Sequence, residues 1–254
     1  MVGKRRSPSE RAAVFASLEQ GLTHRETSAE TGVPVDTIRT WLKRPFPGPR
    51  CEVCGQVPHD FSVLAAPVYA YLLGSYLGDG CIFAQSGTRS HYLRVTLDTA
   101  YPGIIEETAA AMAAIRGRSV RIEADRRGKN CVHVISSWVS WPCVFPQHGP
   151  GRKHHRPIVL EPWQQEIVDA APEMFLRGLI HTDGWRGLNR VTVKGRDYAY
   201  PRYQFSNRSD DIRALFTGTC DRLGIEWRRW GRWHVSVARR ASVARMDEFV
   251  GPKA

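Results

Sequence analysis

The chain has 254 residues and carries 36 lysines and arginines against 25 aspartates and glutamates, a formal net charge of +11. This length can bury a core in one large or two smaller domains, and the charge suits a polyanionic partner such as DNA, RNA or an anionic membrane. No apolar run reaches the ~18 residues that span a bilayer, and the first residues lead into no signal-peptide core. We therefore expect no membrane association and a soluble, cytoplasmic protein. The six cysteines form no dense framework, which favours thiols or metal ligands over disulfides.

Residues 1–45 are predicted to form a small all-α domain of three helices. The predicted spans are 8–20, 24–31 and a third from about residue 34, with Thr23 and Glu26 in the pattern of a capping box. Ile38, Trp41 and Leu42 have the spacing of one buried face. The short turn before the third helix resembles a helix-turn-helix, whose last helix enters the major groove of DNA. A small helical hairpin could instead dock a protein. The candidates for DNA contact lie off the apolar face: Asp36, Thr37, Arg39, Thr40 and Lys43.

Residues 46–66 are predicted to be a linker. Three prolines between Pro45 and Pro49 cannot continue a helix. Cys51 and Cys54 then form a CxxC knuckle typical of zinc ribbons, but a closed structural zinc site needs four ligands. The residues that could complete it are His59 or the distant Cys143 and His148. Zinc ligation by Cys143, His148 and His154 is a separate possibility. Free thiols are the alternative.

One stretch occurs twice, as LLGSYLGDG at 72–80 and LRGLIHTDG at 176–184. Each copy follows a proline, carries a glycine where two helices could touch, and ends in Asp-Gly, which predicts a buried helix with an aspartate at its C-terminal end. The helix dipole disfavours a carboxylate there, and a shared cation would remove that cost. Two copies roughly a hundred residues apart indicate a duplicated unit.

The residues around these copies predict the same order of elements twice, in halves of about 67–150 and 160–254. Strands are predicted at 81–85 and 91–97, a helix at 103–116, and strands at 120–124 and 131–135. The second half repeats this with strands at 189–194 and 200–206, a helix at 209–223, and strands at 225–228 and 233–237. A helix over 162–170 connects the halves.

Strand alternation separates a covered face from an open face. Leu93, Val95, Leu97, Tyr203 and Phe205 are predicted to be covered. The open face is rich in side chains suited to phosphate and base-edge contacts, although a solvated sheet face is the alternative. Its predicted members are Tyr92, Arg94, Thr96, Arg121 and His133 in the first half, and Arg202, Gln204, Ser206, Arg228, His234 and Ser236 in the second. Arg152 and Lys153, in the basic loop 148–157, are further candidates for phosphate contact.

The paired motif resembles the LAGLIDADG homing endonuclease family. The resemblance covers roughly residues 67–250 and implies an α+β, pseudo-two-fold duplicated αββαββ(α) core within 67–254, active as a monomer on double-stranded DNA. Asp79 and Asp183 would be the catalytic residues and would hold Mg²⁺, or another divalent cation, with the carbonyls of Gly78 and Thr182. Family members often carry a basic residue after the last strand of each half. Here the second half offers Arg239 and Arg240, whereas the first half has Ser136 and Ser137.

Two other functions fit the same residues. Bacterial transcription regulators exist that look like a fusion of this fold to a helix-turn-helix and use it only to bind DNA. The N-terminal domain and the missing basic residue favour a regulator, while both aspartates favour a nuclease. In either case the protein would associate with the nucleoid when bound to DNA. An intein-borne or RNA-processing enzyme is a third class, and the chain lacks flanking splicing blocks.

Overall fold

The computed structural model describes residues 6–43, 50–84 and 86–251. The chain folds into two compact units, residues 1–51 and 52–254. The proline segment predicted at 45–49 lies outside the described residues. Among the described helices, none is both long and apolar enough to cross a membrane.

The first unit is a set of three helices: α1 (Pro8–Glu19), α2 (His24–Thr31) and α3 (Val35–Leu42). Capping boxes begin the first two, from Ser7 and from Thr23, because each hydroxyl accepts a backbone N–H that the helix leaves unpaired. Val14, Val33 and Ile38 form its core. Leu42 is 47% exposed, so its predicted place on the buried face is wrong. It is the last residue of its helix, where the apolar face ends.

The second unit contains the two predicted halves. The first half consists of α4 (Ala66–Asp79), β1 (Gly80–Ala84), β2 (His91–Asp98), α5 (Pro102–Arg116), β3 (Arg121–Ala124), β4 (Cys131–Trp138) and the short α6 (Trp141–Val144). The second half consists of α7 (Pro162–Ala170), α8 (Pro172–Asp183), β5 (Gly184–Val193), β6 (Arg196–Ser206), α9 (Asp210–Arg222), β7 (Arg228–Trp230), β8 (His234–Val237) and α10 (Arg240–Val250).

Each half folds its strands into one antiparallel sheet of the same order. The orders are β1-β2-β4-β3 and β5-β6-β8-β7, and this equivalence confirms the predicted duplication. In both sheets the first strand starts directly after a motif aspartate, with Gly80 opposite Val95 and Gly184 opposite Phe205. The unit is therefore a duplicated α+β core with one antiparallel sheet in each half.

The two motif helices α4 and α8 pack with their backbones in contact. A Cβ built on Gly74 would lie 2.4 Å from the Phe175 carbonyl oxygen, and one on Gly178 would lie 2.2 Å from that of Tyr71. No side chain fits at such distances, so only glycine permits this approach. The prediction that the two glycines meet at the seam is confirmed.

A second set of contacts joins the halves at the outer side of this seam. The Arg177 guanidinium on α8 donates two hydrogen bonds of 2.7 Å to the Glu107 carboxylate on α5. It also donates to the carbonyls of Phe249 and Val250 at the end of α10, where the helix dipole favours a cation. Arg177 thus fixes three helices from both halves.

Two strands and one open-face residue of the second half differ from the sequence-based prediction. Strand β7 begins at Arg228 rather than at 225, because the Ile225 amide bonds the Cys220 carbonyl at 2.9 Å and belongs to the turn that ends α9. Strand β5 begins at Gly184 rather than at 189, since it pairs with β6 along its whole length. Ser236 was predicted to be open but is buried, between Gln204 and Arg228 in the strand register.

The seam predicts unequal effects of the same substitution at two helical glycines. Gly74→Ala should lower the free energy of unfolding by about 1–3 kcal/mol or more, because the new methyl group overpacks the helix contact. Gly218 in α9 has no atom within 4 Å of a built Cβ, so Gly218→Ala should be neutral or stabilising by about 0.5–1 kcal/mol. Urea unfolding followed by circular dichroism measures both. Equal effects would contradict a close-packed seam.

Candidate metal and nucleic-acid site

The C-terminal ends of the two motif helices lie against each other. A Cβ on Gly78 would lie 2.0 Å from the Thr182 hydroxyl oxygen and 3.5 Å from the Asp183 carboxylate carbon. Asp79 is exposed and Asp183 is partly exposed. Two carboxylates thus stand at adjacent helix ends whose carbonyls carry partial negative charge. Such an arrangement attracts a cation.

One cation that reaches this place is the side chain of Lys153. Its ammonium donates to the carbonyl of Tyr76 at 2.5 Å and to that of Gly78 at 2.8 Å, and it lies 5.0 Å from the centre of the Tyr76 ring. Burial lowers the pKa of Lys153 to about 8, although the nearby Asp183 and Asp79 carboxylates act to raise it. At pH 7 the group is therefore still mainly charged. The sequence placed Lys153 in a flexible phosphate-binding loop, whereas the structure brings it to the motif helices.

The loop 148–157 that carries Lys153 is held in a defined shape. The Arg156 guanidinium donates to the carbonyls of Gln147 and Gly151, both at 3.0 Å. This loop and the motif ends enclose a cleft of about 580 Å³ whose lining includes Asp183, Asn207 and several cations. The basic residues that line it are Arg152, Lys153, His154, Arg156 and Arg208.

Asn207 orients the carboxylate of Asp183 and was missed by the sequence analysis. Its Nδ2 donates to Asp183 Oδ2 at 2.6 Å, while its Oδ1 accepts the amide of Ser209 at 2.8 Å. The second bond fixes which end of the amide faces the aspartate. Because Gly184 pairs with Phe205, the correct hairpin register would have placed Asn207 beside Asp183.

The open face of the first sheet carries the predicted polar residues. Arg94 and Thr96 are partly exposed between the buried Leu93, Val95 and Leu97. Thr96 Oγ1 lies 3.0 Å from His133 Nδ1, and His133 Nε2 lies 3.2 Å from Asp125 Oδ2. A hydrogen bond from the backbone amide of Arg127 is the main reason why the pKa of Asp125 is lowered. The face is thus a connected polar surface.

The open face of the second sheet has equivalent residues. Arg202 and Gln204 are partly exposed between the buried Tyr203 and Phe205. Ser206 Oγ lies 2.5 Å from His234 Nδ1, which parallels the pair of Thr96 with His133. Arg94 Nε and Arg202 Nε are both buried without a hydrogen-bond partner among the described residues. The strand register makes Arg94 equivalent to Gln204 rather than to Arg202, because Arg94 lies opposite Cys81 and Gln204 opposite Trp185. Each arginine nevertheless retains its unused Nε donor.

The other predicted site residues lie outside the cleft at the motif ends. Arg239 pairs with Glu226 and lines a separate cleft with Arg202, whereas Arg240 is the first residue of α10. Arg39 and Thr40 on α3, and Lys43 directly after it, are exposed, whereas Thr37 is partly buried. Cys51 and Cys54 come together with His59 and Cys143. His148 instead lies against His91, and His154 against His155.

The donor set at the motif ends fits a hard divalent cation. Carboxylate and carbonyl oxygens are the ligands that Mg²⁺ and Ca²⁺ prefer, and the Gly78 carbonyl already accepts a positively charged group. The space beside the Gly78 carbonyl therefore favours a positive charge in the folded chain.

Comparisons with known proteins give likenesses of fold alone. No family model and no curated protein matches the sequence. Similar solved structures include the LAGLIDADG meganuclease I-AabMI bound to uncleaved DNA, with a TM-score of 0.46 and 12% identity over 71% of this chain and 82% of that chain. For the I-LtrWI LAGLIDADG homing endonuclease bound to target DNA, the TM-score is 0.47 and the identity 8%, over 73% of this chain and 84% of that chain. For the N-terminal LAGLIDADG domain of DUF199/WhiA, the TM-score is 0.45 and the identity 13%, over 74% of this chain and 82% of that chain.

The contact between Asn207 and Asp183 predicts a reversible charge effect. Asn207→Asp should lower the free energy of unfolding by about 1–3 kcal/mol, because a donor becomes a second carboxylate beside the first. Adding Asp183→Asn restores a donor and removes the like charge, so the double variant should regain most of that loss. Urea unfolding measures the cycle, and Asn130→Asp on an exposed turn is the control. Purely additive effects would rule out the orienting contact.

Proposed function

We propose that the core binds double-stranded DNA sequence-specifically and hydrolyses its phosphodiester bonds with Mg²⁺ at the ends of the motif helices. The observation that carries the proposal is the contact of two aspartate-bearing helix ends in a duplicated core whose two sheets expose matching polar faces. The chain would act as a monomer, since it contains both motif helices.

The open sheet faces would supply the DNA contacts. Arg94 and Arg202 can donate two hydrogen bonds to a guanine edge, and Gln204 can pair with an adenine edge. Thr96, His133 and His234 would extend these faces. Contacts to phosphates would come from Arg152 and from Arg239 and Arg240, and such contacts position the duplex without reading its sequence. The net charge of +11 would assist association.

Asp79 and Asp183, with the carbonyls of Gly78 and Thr182, would hold the divalent cation. A bound Mg²⁺ lowers the pKa of a bound water and neutralises charge on the leaving oxygen. Within the chain, Asn207 keeps the Asp183 carboxylate in one orientation. Lys153 places a positive charge beside the Gly78 carbonyl, where it would offset the charge of a nearby phosphate.

A DNA-binding transcription regulator is the second candidate. Lys153 favours it, because its ammonium already supplies positive charge at the position that the cation would need. Positions 136 and 137 of the first half also carry serines. A regulator of this kind would bind DNA equally well with and without a divalent cation.

The response to divalent cations distinguishes the two candidates. For a nuclease, Mg²⁺ or Ca²⁺ should raise the melting temperature of the wild-type protein by mass action. The rise should be larger in Lys153→Met, which removes the competing ammonium, and should vanish in Asp79→Asn combined with Asp183→Asn. Lys129→Met, on an exposed turn, should behave as the wild type.

Cleavage of a plasmid library completes this test. A nuclease should linearise specific plasmids with Mg²⁺, whereas its double aspartate variant should bind the same sites without cutting. Calorimetry that finds no divalent binding to the wild-type protein, alone or on DNA, would exclude the nuclease and favour the regulator.

The N-terminal unit would be a helix-turn-helix domain within residues 1–45, joined to the core by the linker 46–66. Arg39 and Thr40 are exposed on α3, and Lys43 is exposed directly after it. This helix would enter a major groove. Arg39→Ala should relax base preference, whereas Lys43→Ala should weaken binding to all sequences and lower its salt dependence. Fluorescence anisotropy with specific and random duplexes measures both. Unchanged affinity and preference in both variants would leave α3 without a role in DNA binding.

A further inference from the structure

Three cysteines and a histidine meet at the CxxC turn of the chain. One ligand atom each from Cys51, Cys54, His59 and Cys143 lies within 4.8 Å of all the others, and Cys54 Sγ lies 3.1 Å from His59 Nε2. We propose that these four residues bind one structural Zn²⁺ ion.

The chemistry of the four ligands selects zinc. In a tetrahedral site, Zn–S lengths of about 2.3 Å and Zn–N lengths of about 2.0–2.1 Å separate neighbouring ligand atoms by roughly 3.5–3.8 Å. The observed separations, 3.1 Å for Cys54 and His59 and at most 4.8 Å for any pair, span that range. Thiolate and imidazole ligands suit Zn²⁺, whereas Mg²⁺ and Ca²⁺ prefer oxygen. Four protein ligands close the coordination sphere, which defines a structural site rather than a catalytic one.

A disulfide explains the cluster less well. The structure joins no two of the six cysteines in a disulfide, and a bond between any two of the three would leave the third cysteine and the imidazole outside it. A single metal ion accounts for all four ligands at once. Deprotonation of the three thiols would accompany its binding.

A tight turn follows the second cysteine of the CxxC pair. Gly55, immediately after Cys54, has a φ of +70°, a conformation that residues with a Cβ rarely adopt. The chain therefore reverses directly after the second cysteine. Zinc knuckles of the CxxC type need such a reversal so that both sulfur atoms face one ion.

Packing against the core fixes the other two ligands. The His59 ring stacks on Phe61 at 5.4 Å, and Phe61 stacks on Trp163 at 4.0 Å between ring centres. Cys143 is buried in α6, where the next residue, Val144, accepts a hydrogen bond of 2.7 Å from Tyr69 on the motif helix α4. The ion would thus tie residues 51–59 to the short helix that supports the first motif, and it would join positions far apart in the sequence.

Metal analysis of the full chain tests this proposal. Protein reconstituted with Zn²⁺ and passed over a desalting column should hold one zinc per chain by mass spectrometry. Replacement by Co²⁺ should give the intense visible absorption of a tetrahedral site and a thiolate-to-cobalt charge-transfer band. A strong chelator should remove the ion and lower the melting temperature, because ion binding to the folded state stabilises it.

Two variants separate a specific site from thiol-rich surface binding. Cys54→Ser, on the turn, should lose the bound zinc and the cobalt spectrum, whereas Cys131→Ser, a partly exposed cysteine outside the cluster, should keep both. Cys51→Ser provides a second removal of a ligand if the first variant does not fold. Wild-type protein without stoichiometric zinc, an octahedral cobalt spectrum, or equal zinc in the Cys54 and Cys131 variants would overturn the proposal. DNA binding and cleavage do not enter these measurements.

Discussion

The backbone contact between the two motif helices determines the arrangement of the core. Gly74 and Gly178 leave no space for a side chain, and the helices therefore run together until their last turns meet. Each sheet starts at the next residue, Gly80 or Gly184, where a built Cβ would lie 2.5 Å or 2.6 Å from the backbone of the preceding turn. The start of each sheet is thus fixed by the same contact that brings the ends of the two motif helices together. Stability and site geometry cannot be changed independently here.

This contact concentrates negative charge, and the two halves compensate for it differently. The second half holds its aspartate with the amide of Asn207, whereas the strand register places the apolar Leu97 at the equivalent position of the first half. Lys153 supplies a positive charge from the loop between the halves. The two halves therefore share a backbone fold but differ in the side chains at the ends of their motif helices. The two aspartates meet different surroundings, and this difference affects any cation that they share.

The sequence predicts the parts of this structure that depend on neighbouring residues. Prolines and glycines mark the ends of the motif helices, and alternation along β2 and β6 separates the buried Val95 and Phe205 from their open neighbours. The helix α10 escaped prediction although Val243, Met246 and Val250 recur at helical spacing and are buried. These features are local, so they can be found without the fold.

The features that the sequence could not predict depend on contacts between distant residues. Lys153 reaches carbonyls 77 and 75 positions away, and no periodicity in its loop indicates that direction. Cys143 joins the CxxC turn in the same way, because only the packing of α6 beside α4 brings it there. For β7, the local pattern favoured a strand at Ile225, but the turn that ends α9 needs that residue's amide. Tertiary contact overrides local preference in each case.

The internal ammonium also changes what the paired aspartates indicate about function. An aspartate pair at two helix ends is strained when nothing offsets its charge, but here Lys153 offsets part of it in the folded chain. The pair is therefore compatible with a protein that binds no metal at all. If the core is a nuclease, the cation must displace this ammonium from the Gly78 carbonyl. Because Arg156 holds the loop backbone in place, the displacement requires the lysine side chain to move. A DNA phosphate is the anion that could accept the displaced ammonium. Cation affinity in a nuclease should consequently be higher on DNA than in the free protein, whereas a regulator requires no such coupling.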